Sequence, residues 1–336
     1  MKQVMNMKNK RRRSSGAAKL WKTALLAAAG WVVYSNVAVR HDLDLPDAVA
    51  AERKVIYTPT VPKLSYYVDA SVSGRPLVLL HSINAAASAY EMRPLFEHYR
   101  GSRPVYALDL PGYGFSDRSR RGYTPALFQN AIIDFLANVV REPADVVALS
   151  LTSEFAAAAA QARPDLFHSL AVISPTGLDE DKKKRASQQA GSSGSSSWLY
   201  PLFSFPLWAR PFFDLISTRA SIRYFLAQSF AGPMPDSLVD YAYRTSHQPG
   251  AENVPLHFIS GKLFTPDIRT RVYQQMSTPG LIIYDHDPFT SFEALPDLLN
   301  HSVNWTTVRI IPTLGLPHWE QMPQTGAALD NFWNTH

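Results

Sequence analysis

Several residues capable of chemistry fall at the ends of short apolar runs. His81-Ser82 closes one run, and Asp109-Leu110-Pro111-Gly112-Tyr113-Gly114-Phe115-Ser116-Asp117 follows the next. Ala148-Leu149-Ser150-Leu151-Thr152 follows a third, Asp285-His286-Asp287-Pro288 a later one, and Gly315-Leu316-Pro317-His318-Trp319-Glu320 the last. A serine hydroxyl, an imidazole and a carboxylate together can carry out nucleophilic attack: the imidazole accepts the hydroxyl proton and the carboxylate orients the imidazole. Cysteine is absent, which excludes a thiolate nucleophile and a thiolate metal site. No zinc, P-loop or dinucleotide motif is present, so neither a metal nor an organic cofactor is expected.

These residues need strands to position them. The runs Leu77–His81, Val105–Leu110, Val146–Ser150, Leu170–Ser174, Leu281–Tyr284 and Val308–Ile311 are rich in Val, Ile and Leu. Continuous apolar runs of this length fit strands buried on both faces. Helical patterns lie between some of them, at Ala126–Val140 and the Ala-rich Glu154–Ala162. The alternation predicts the α/β class, a mostly parallel central sheet with helices on both faces. Functional groups in such a sheet gather at the C-terminal strand ends. One long insert breaks the alternation between Pro175 and Leu281. It opens with the charged run Asp179–Arg185 and the flexible Ser/Gly tract Ser187–Ser197. Trp198–Phe213 then carries seven aromatics (Trp198, Tyr200, Phe203, Phe205, Trp208, Phe212 and Phe213). No repeat of 20–50 residues is visible.

The chain has 336 residues, 46% hydrophobic and 18% charged, enough for a large folded domain. Its formal net charge of +5 is unevenly placed. Residues 1–40 hold nine basic side chains and no acid, leaving 24 basic against 28 acidic residues in the body. A mildly acidic body gives no support for nucleic-acid binding. The cationic run Lys8–Arg13 precedes an apolar stretch, Thr23–Val39, with Trp31 and Tyr34 near its far end. This pattern predicts a single N-terminal membrane helix with a cytoplasmic N-terminus, which would place the body outside the cytoplasm in a bacterium. A cleaved signal peptide and a plain basic tail are the rivals, and the small-residue cleavage pattern fits poorly at Ser35-Asn36-Val37.

From about residue 60 onward the chain resembles the α/β-hydrolase superfamily. The resemblance rests on the Ser, acid, His order, the Asp-x-x-Gly-x-Gly-x-Ser run from Asp109 to Ser116, and an insert where these enzymes carry a helical lid. It implies a core in two parts, 60–177 and 278–336, around a lid at 178–277, preceded by a basic tail at 1–22 and a membrane or signal segment at 23–40. It implies Ser150 as nucleophile on a strained strand-to-helix turn, where Thr152 replaces the usual glycine. The backbone N–H groups of Ile83 and Leu151 would form the oxyanion hole. Asp287 would be the orienting acid, with Asp285 as the fallback, and His81 would be structural. The common family pattern Gly-His-x-x-His-x-Glu, aligned on Glu320, puts Gly315 at the catalytic histidine and matches His318 to the second one. Either His318 has taken over as base through a shorter loop, or the base is missing.

The leading expectation is a serine hydrolase forming an acyl-enzyme with carboxylic esters or related acyl compounds. The aromatic lid favours a small apolar or amphipathic substrate. The alternatives are a non-catalytic protein of the same fold that binds an apolar ligand or membrane partner, and acyl transfer or carbon–carbon hydrolysis on the same scaffold.

Overall fold

The computed structural model describes residues 21–179, 200–201 and 203–336. Eight strands build one sheet: β1 (Glu52–Ile56), β2 (Leu64–Asp69), β3 (Leu77–Leu80), β4 (Val105–Leu108), β5 (Ala144–Leu149), β6 (Phe167–Ile173), β7 (Gly280–His286) and β8 (Trp305–Leu314). Their order is β1-β2-β4-β3-β5-β6-β7-β8. β3 through β8 run parallel to one another, while β2 pairs antiparallel with both β1 and β4. The six apolar runs are the six parallel strands. β1 is the exposed Glu-Arg-Lys-Val-Ile edge and β2 is Tyr-rich, so neither carries the Val/Ile/Leu signature.

Two apolar layers cover the sheet. One face packs against α3 (Pro125–Phe135) and α4 (Thr152–Ala162), through Phe128, Phe135 and Phe155. The other packs against α2 (Arg93–Tyr99) and the C-terminal helix Met322–Thr335, through Phe96, Leu329 and Phe332. Because β3 lies between β4 and β5, the order of strands reverses there, which opens a crevice at the C-terminal ends of β3 and β5.

The insert forms helices α5 (Ala209–Ile216), α6 (Arg219–Ala227), α7 (Asp236–Ser246) and α8 (Asn253–Ile259). Phe230, Leu238 and Tyr241 join one core layer. The Glu320 carboxylate accepts hydrogen bonds from the N–H groups of Ala231 (2.6 Å), Gly232 (2.9 Å) and Leu314 (2.9 Å), clamping the insert to the end of β8. Most of the aromatic run packs within the lid: Phe213 is fully buried, Phe203 stacks on Phe212, and Tyr200 lies against His257. Phe205 and Leu207 are the exposed exceptions, whereas Trp198 and the Ser/Gly tract lie outside the described residues.

The expected membrane helix finds no support among the described residues. Residues 21–38 do form a helix, α1, but no described helix is long and apolar enough to cross a membrane. Its second half is occupied with the lid: Trp31 Nε1 donates to the Pro211 carbonyl (2.7 Å) and Ser35 Oγ to Asp214 (2.5 Å). Most of the expected basic tail, residues 1–20, lies outside the described residues.

Candidate active site

Ser150 follows β5 directly and opens onto α4. Its φ of 55° is left-handed, a conformation a serine adopts only when its surroundings impose it. Two bonds impose it here: the Ser150 N–H donates to the Ile173 carbonyl (2.9 Å), and the Ser153 N–H donates to the Ser150 carbonyl (3.0 Å). The serine is half-buried, while Leu149, Leu151 and Thr152 around it are buried.

β3 and β5 are adjacent, with Leu80 opposite Ala148, so the segment after β3 runs beside the serine turn. Thr152 Oγ1 donates to the His81 carbonyl at 2.6 Å and ties the two segments together. Thr152, which replaces the usual glycine, is therefore a strut between the two segments. Among the described residues, the backbone N–H groups of Ile83 and Leu151 have no hydrogen-bond partner. An oxyanion would need two donors of this kind.

His81 keeps the structural role expected of it. Its Nδ1–H donates to the Ser82 carbonyl (2.7 Å) and its Nε2 accepts from the Leu110 N–H (3.0 Å). Full burial pulls its pKa down to about 3, so the ring stays neutral. Asp109 is structural too. Its carboxylate takes the N–H groups of Ala89 (3.1 Å) and Phe115 (3.0 Å), and Ser116 Oγ donates to its carbonyl (2.5 Å). A Cβ on Gly114 would fall within 2.1 Å of all three carboxyl atoms of Asp109, which explains the glycine in that run.

Glu91 is a residue that sequence reasoning missed. Its buried carboxylate accepts the Ser82 N–H (2.9 Å) and the Asn84 amide (2.8 Å), fixing the loop that carries Ile83. Burial raises its pKa. The only trace in the sequence is an acid within the buried stretch Ala89–Met92.

The acid side is built differently. Asp287 follows β7 and accepts the Phe289 N–H at 2.7 Å. Burial raises its pKa above the ordinary carboxylate range. Its neighbour across the gap is Gly315, at φ 89°: a Cβ placed there would lie 2.9 Å from Asp287 Oδ2. Asp285, the fallback acid, points elsewhere, accepting from Arg309 Nε (2.8 Å) and the Thr313 N–H (3.0 Å).

His318 lies at the start of the helical turn Pro317–Glu320 and is fully buried. Its Nε2–H donates to the Glu91 carbonyl at 2.9 Å, and the same carbonyl accepts from Trp319 Nε1 (2.7 Å). Nδ1 has no partner. Neither Ser150 nor Asp287 is among the hydrogen-bond partners of His318. Burial lowers its pKa to about 4, which makes the ring a weak proton acceptor at neutral pH. No group of three or more His, Asp or Glu able to hold a metal occurs among the described residues.

Known proteins agree with this frame. Residues 77–328 match the model of the alpha/beta hydrolase family. A serine hydrolase involved in carbazole degradation superposes with a TM-score of 0.65 at 15% identity, over 85% of this chain and 100% of its own. The meta-cleavage product hydrolase of Pseudomonas fluorescens IP01 gives 0.64 at 17% identity, over 84% and 97%. E-2-(acetamidomethylene)succinate hydrolase gives 0.60 at 17% identity, over 84% and 99%. No curated protein matches the sequence. Likeness at such identities speaks for the fold, while the family model spans most of the chain together with the turn at Ser150: the chain belongs to the α/β hydrolase family.

Proposed function

We propose that this chain is a hydrolase whose Ser150 attacks an apolar or amphipathic acyl compound, with the N–H groups of Ile83 and Leu151 holding the oxyanion, and that it works without the usual histidine base. The observation that carries this reading is the strained Ser150 turn, followed by the unpartnered Leu151 N–H and adjoined by the segment after β3 that carries the unpartnered Ile83 N–H. Gly315 stands against Asp287 where the base would be, and His318 serves the Glu91 carbonyl as a structural donor. Lid residues Ile222, Val239 and Ala242 form an apolar cluster with Ala86 of the oxyanion loop, suited to a hydrocarbon chain.

The chemistry follows from what is retained. The Ser150 oxygen bonds to the carbonyl carbon as its proton passes to solvent, the carbonyl oxygen takes the negative charge, and on collapse the bond to the leaving oxygen breaks, releasing a phenolate or an alkoxide that solvent protonates to the alcohol. Water then cleaves the acyl-serine. A positioned serine and oxyanion hole lacking one triad member still accelerate reaction about 10³–10⁴-fold over water. Activated esters should therefore give a burst of one equivalent followed by slow release.

A second reading, binding of the same ligand without reaction, is favoured by the same Gly315 and His318 geometry. One experiment separates the readings: labelling of the full chain by a fluorescent fluorophosphonate, beside Ser150→Ala and His318→Gln. Glutamine keeps a donor for the Glu91 carbonyl and removes the imidazole. The proposal expects slow labelling of wild type, none in Ser150→Ala, and a rate within about threefold of wild type in His318→Gln. A drop of 10³-fold or more in a folded His318→Gln would make His318 the base and overturn the base-free mechanism. Absence of labelling in wild type would establish the binding reading.

A further inference from the structure

The first half of α1 presents an unusual surface. Residues 21–30 are exposed on every side, and they include the unbroken apolar run Ala24-Leu25-Leu26-Ala27-Ala28-Ala29. Leu25 is 67% and Leu26 74% exposed. A helical stretch apolar all round is normally covered by a core or by lipid. The lid segment that α1 touches adds Phe205, Leu207 and Leu215, each about half exposed or more.

Charge identifies the cover. Residues 1–40 carry nine basic side chains and no acid, and three of them, Arg11, Arg12 and Arg13, are consecutive. Placing all this basicity next to an exposed apolar helix in sequence suits an anionic lipid surface. From Trp31 onward α1 is packed on Pro211 and Asp214, so only ten described residues project. They extend about 15 Å at 1.5 Å per residue, half of a hydrocarbon core.

We propose that α1 and the lid segment Phe205–Ile216 form one face that seats on an anionic membrane surface, with α1 lying along the headgroup boundary. Asp214 makes this face a single unit. Its buried carboxylate accepts Ser35 Oγ from α1, pairs with His41 just after it (2.9 Å), and pairs with Arg210 of the lid (3.1 Å). Arg210 continues to Glu252 (2.8 Å) and to the Gln248 carbonyl (3.0 Å). Lipid contact at α1 thus reaches α5 and, through Arg210, the Gln248–Glu252 segment of the lid.

The test is flotation of the full chain with vesicles of phosphatidylcholine alone or with 30% phosphatidylserine. Binding to the phosphatidylserine vesicles should exceed binding to neutral ones at least tenfold. The double variant Leu25→Glu, Leu26→Glu should lose at least tenfold. The triple variant Arg11→Gln, Arg12→Gln, Arg13→Gln should also lose binding, without altering the apolar face. Leu215→Glu should lose severalfold, because the lid belongs to the face. Equal binding by the leucine variant, or no flotation of wild type, would overturn the proposal. So would a lipid-free dimer that the leucine variant dissociates, since a second copy would then be the occupant.

Discussion

The two halves of the site are built to different standards. On the serine side every positioning group has a partner: Thr152 holds His81, His81 holds Leu110, and Glu91 holds Ser82 and Asn84. On the acid side Asp287 has a backbone donor and a bare glycine, and the nearby imidazole serves another segment. On the proposed function, the contrast teaches that a site can keep the half that would bind and polarise a carbonyl while changing the half that would move a proton. The first depends on backbone shape, which the whole sheet enforces. The second depends on one side chain at one position.

The contrast can be broken by mutation. Glu91→Leu should have the largest effect. It removes two hydrogen bonds to a carboxylate, leaving the buried Ser82 N–H without an acceptor and the Asn84 amide with Ser82 Oγ alone, a cost of roughly 4 kcal/mol. Urea unfolding should show the loss, and fluorophosphonate labelling of the surviving folded fraction should fall with it. Should that variant keep full stability, the serine side is less tightly built than described.

Acid should come next. His318 has a folded pKa near 4, below the 6.5 of an exposed imidazole, so the unfolded chain takes up the proton first. Its contribution is fully present above pH 6.5 and is lost as pH falls toward 4, about 3 kcal/mol by pH 4.5. His81 behaves in the same direction. Melting temperature measured from pH 7 to pH 4.5 should therefore drop, and less steeply in His318→Gln. An unchanged slope in that variant would mean that the ring is not held neutral.

Asp287→Asn should have the smallest effect. Asparagine still accepts the Phe289 N–H and removes a carboxylate whose raised pKa reflects a desolvation penalty. Stability should change by less than about 1 kcal/mol, in either direction, and the labelling rate should stay within a few-fold. A labelling loss of 10³-fold would show that the acid acts on a base after all, and would erase the difference between the two halves.

Much of the frame was legible in the sequence because buried parallel strands write themselves as Val/Ile/Leu runs, and all six runs became strands. β1 and β2 escaped for the opposite reason: an edge strand and a Tyr-rich neighbour need no continuous apolar run. The strained turn at Ser150 could be anticipated from a strand, a serine and a helix in succession. Glu91 could not, because nothing local marks an acid whose partners lie seven and nine residues back on another element. Position 315 was readable as a glycine in a histidine's place. That Asp287 faces this glycine and not His318 required the third dimension. At the N-terminus, hydropathy described the apolar stretch, but the docking of its second half on the lid depends on Asp214, about 180 residues away in sequence.

The Glu320 clamp has a mechanical consequence. It fastens the lid at Ala231 and Gly232, while Asp214 fastens it to α1 and, through Arg210, to α8. A flap moored at both ends cannot swing open as a door. On the proposed function, a ligand would pass beneath the span between the moorings by the yielding of α6, whose Tyr224 and Phe225 face outward and whose one buried residue is Ile222.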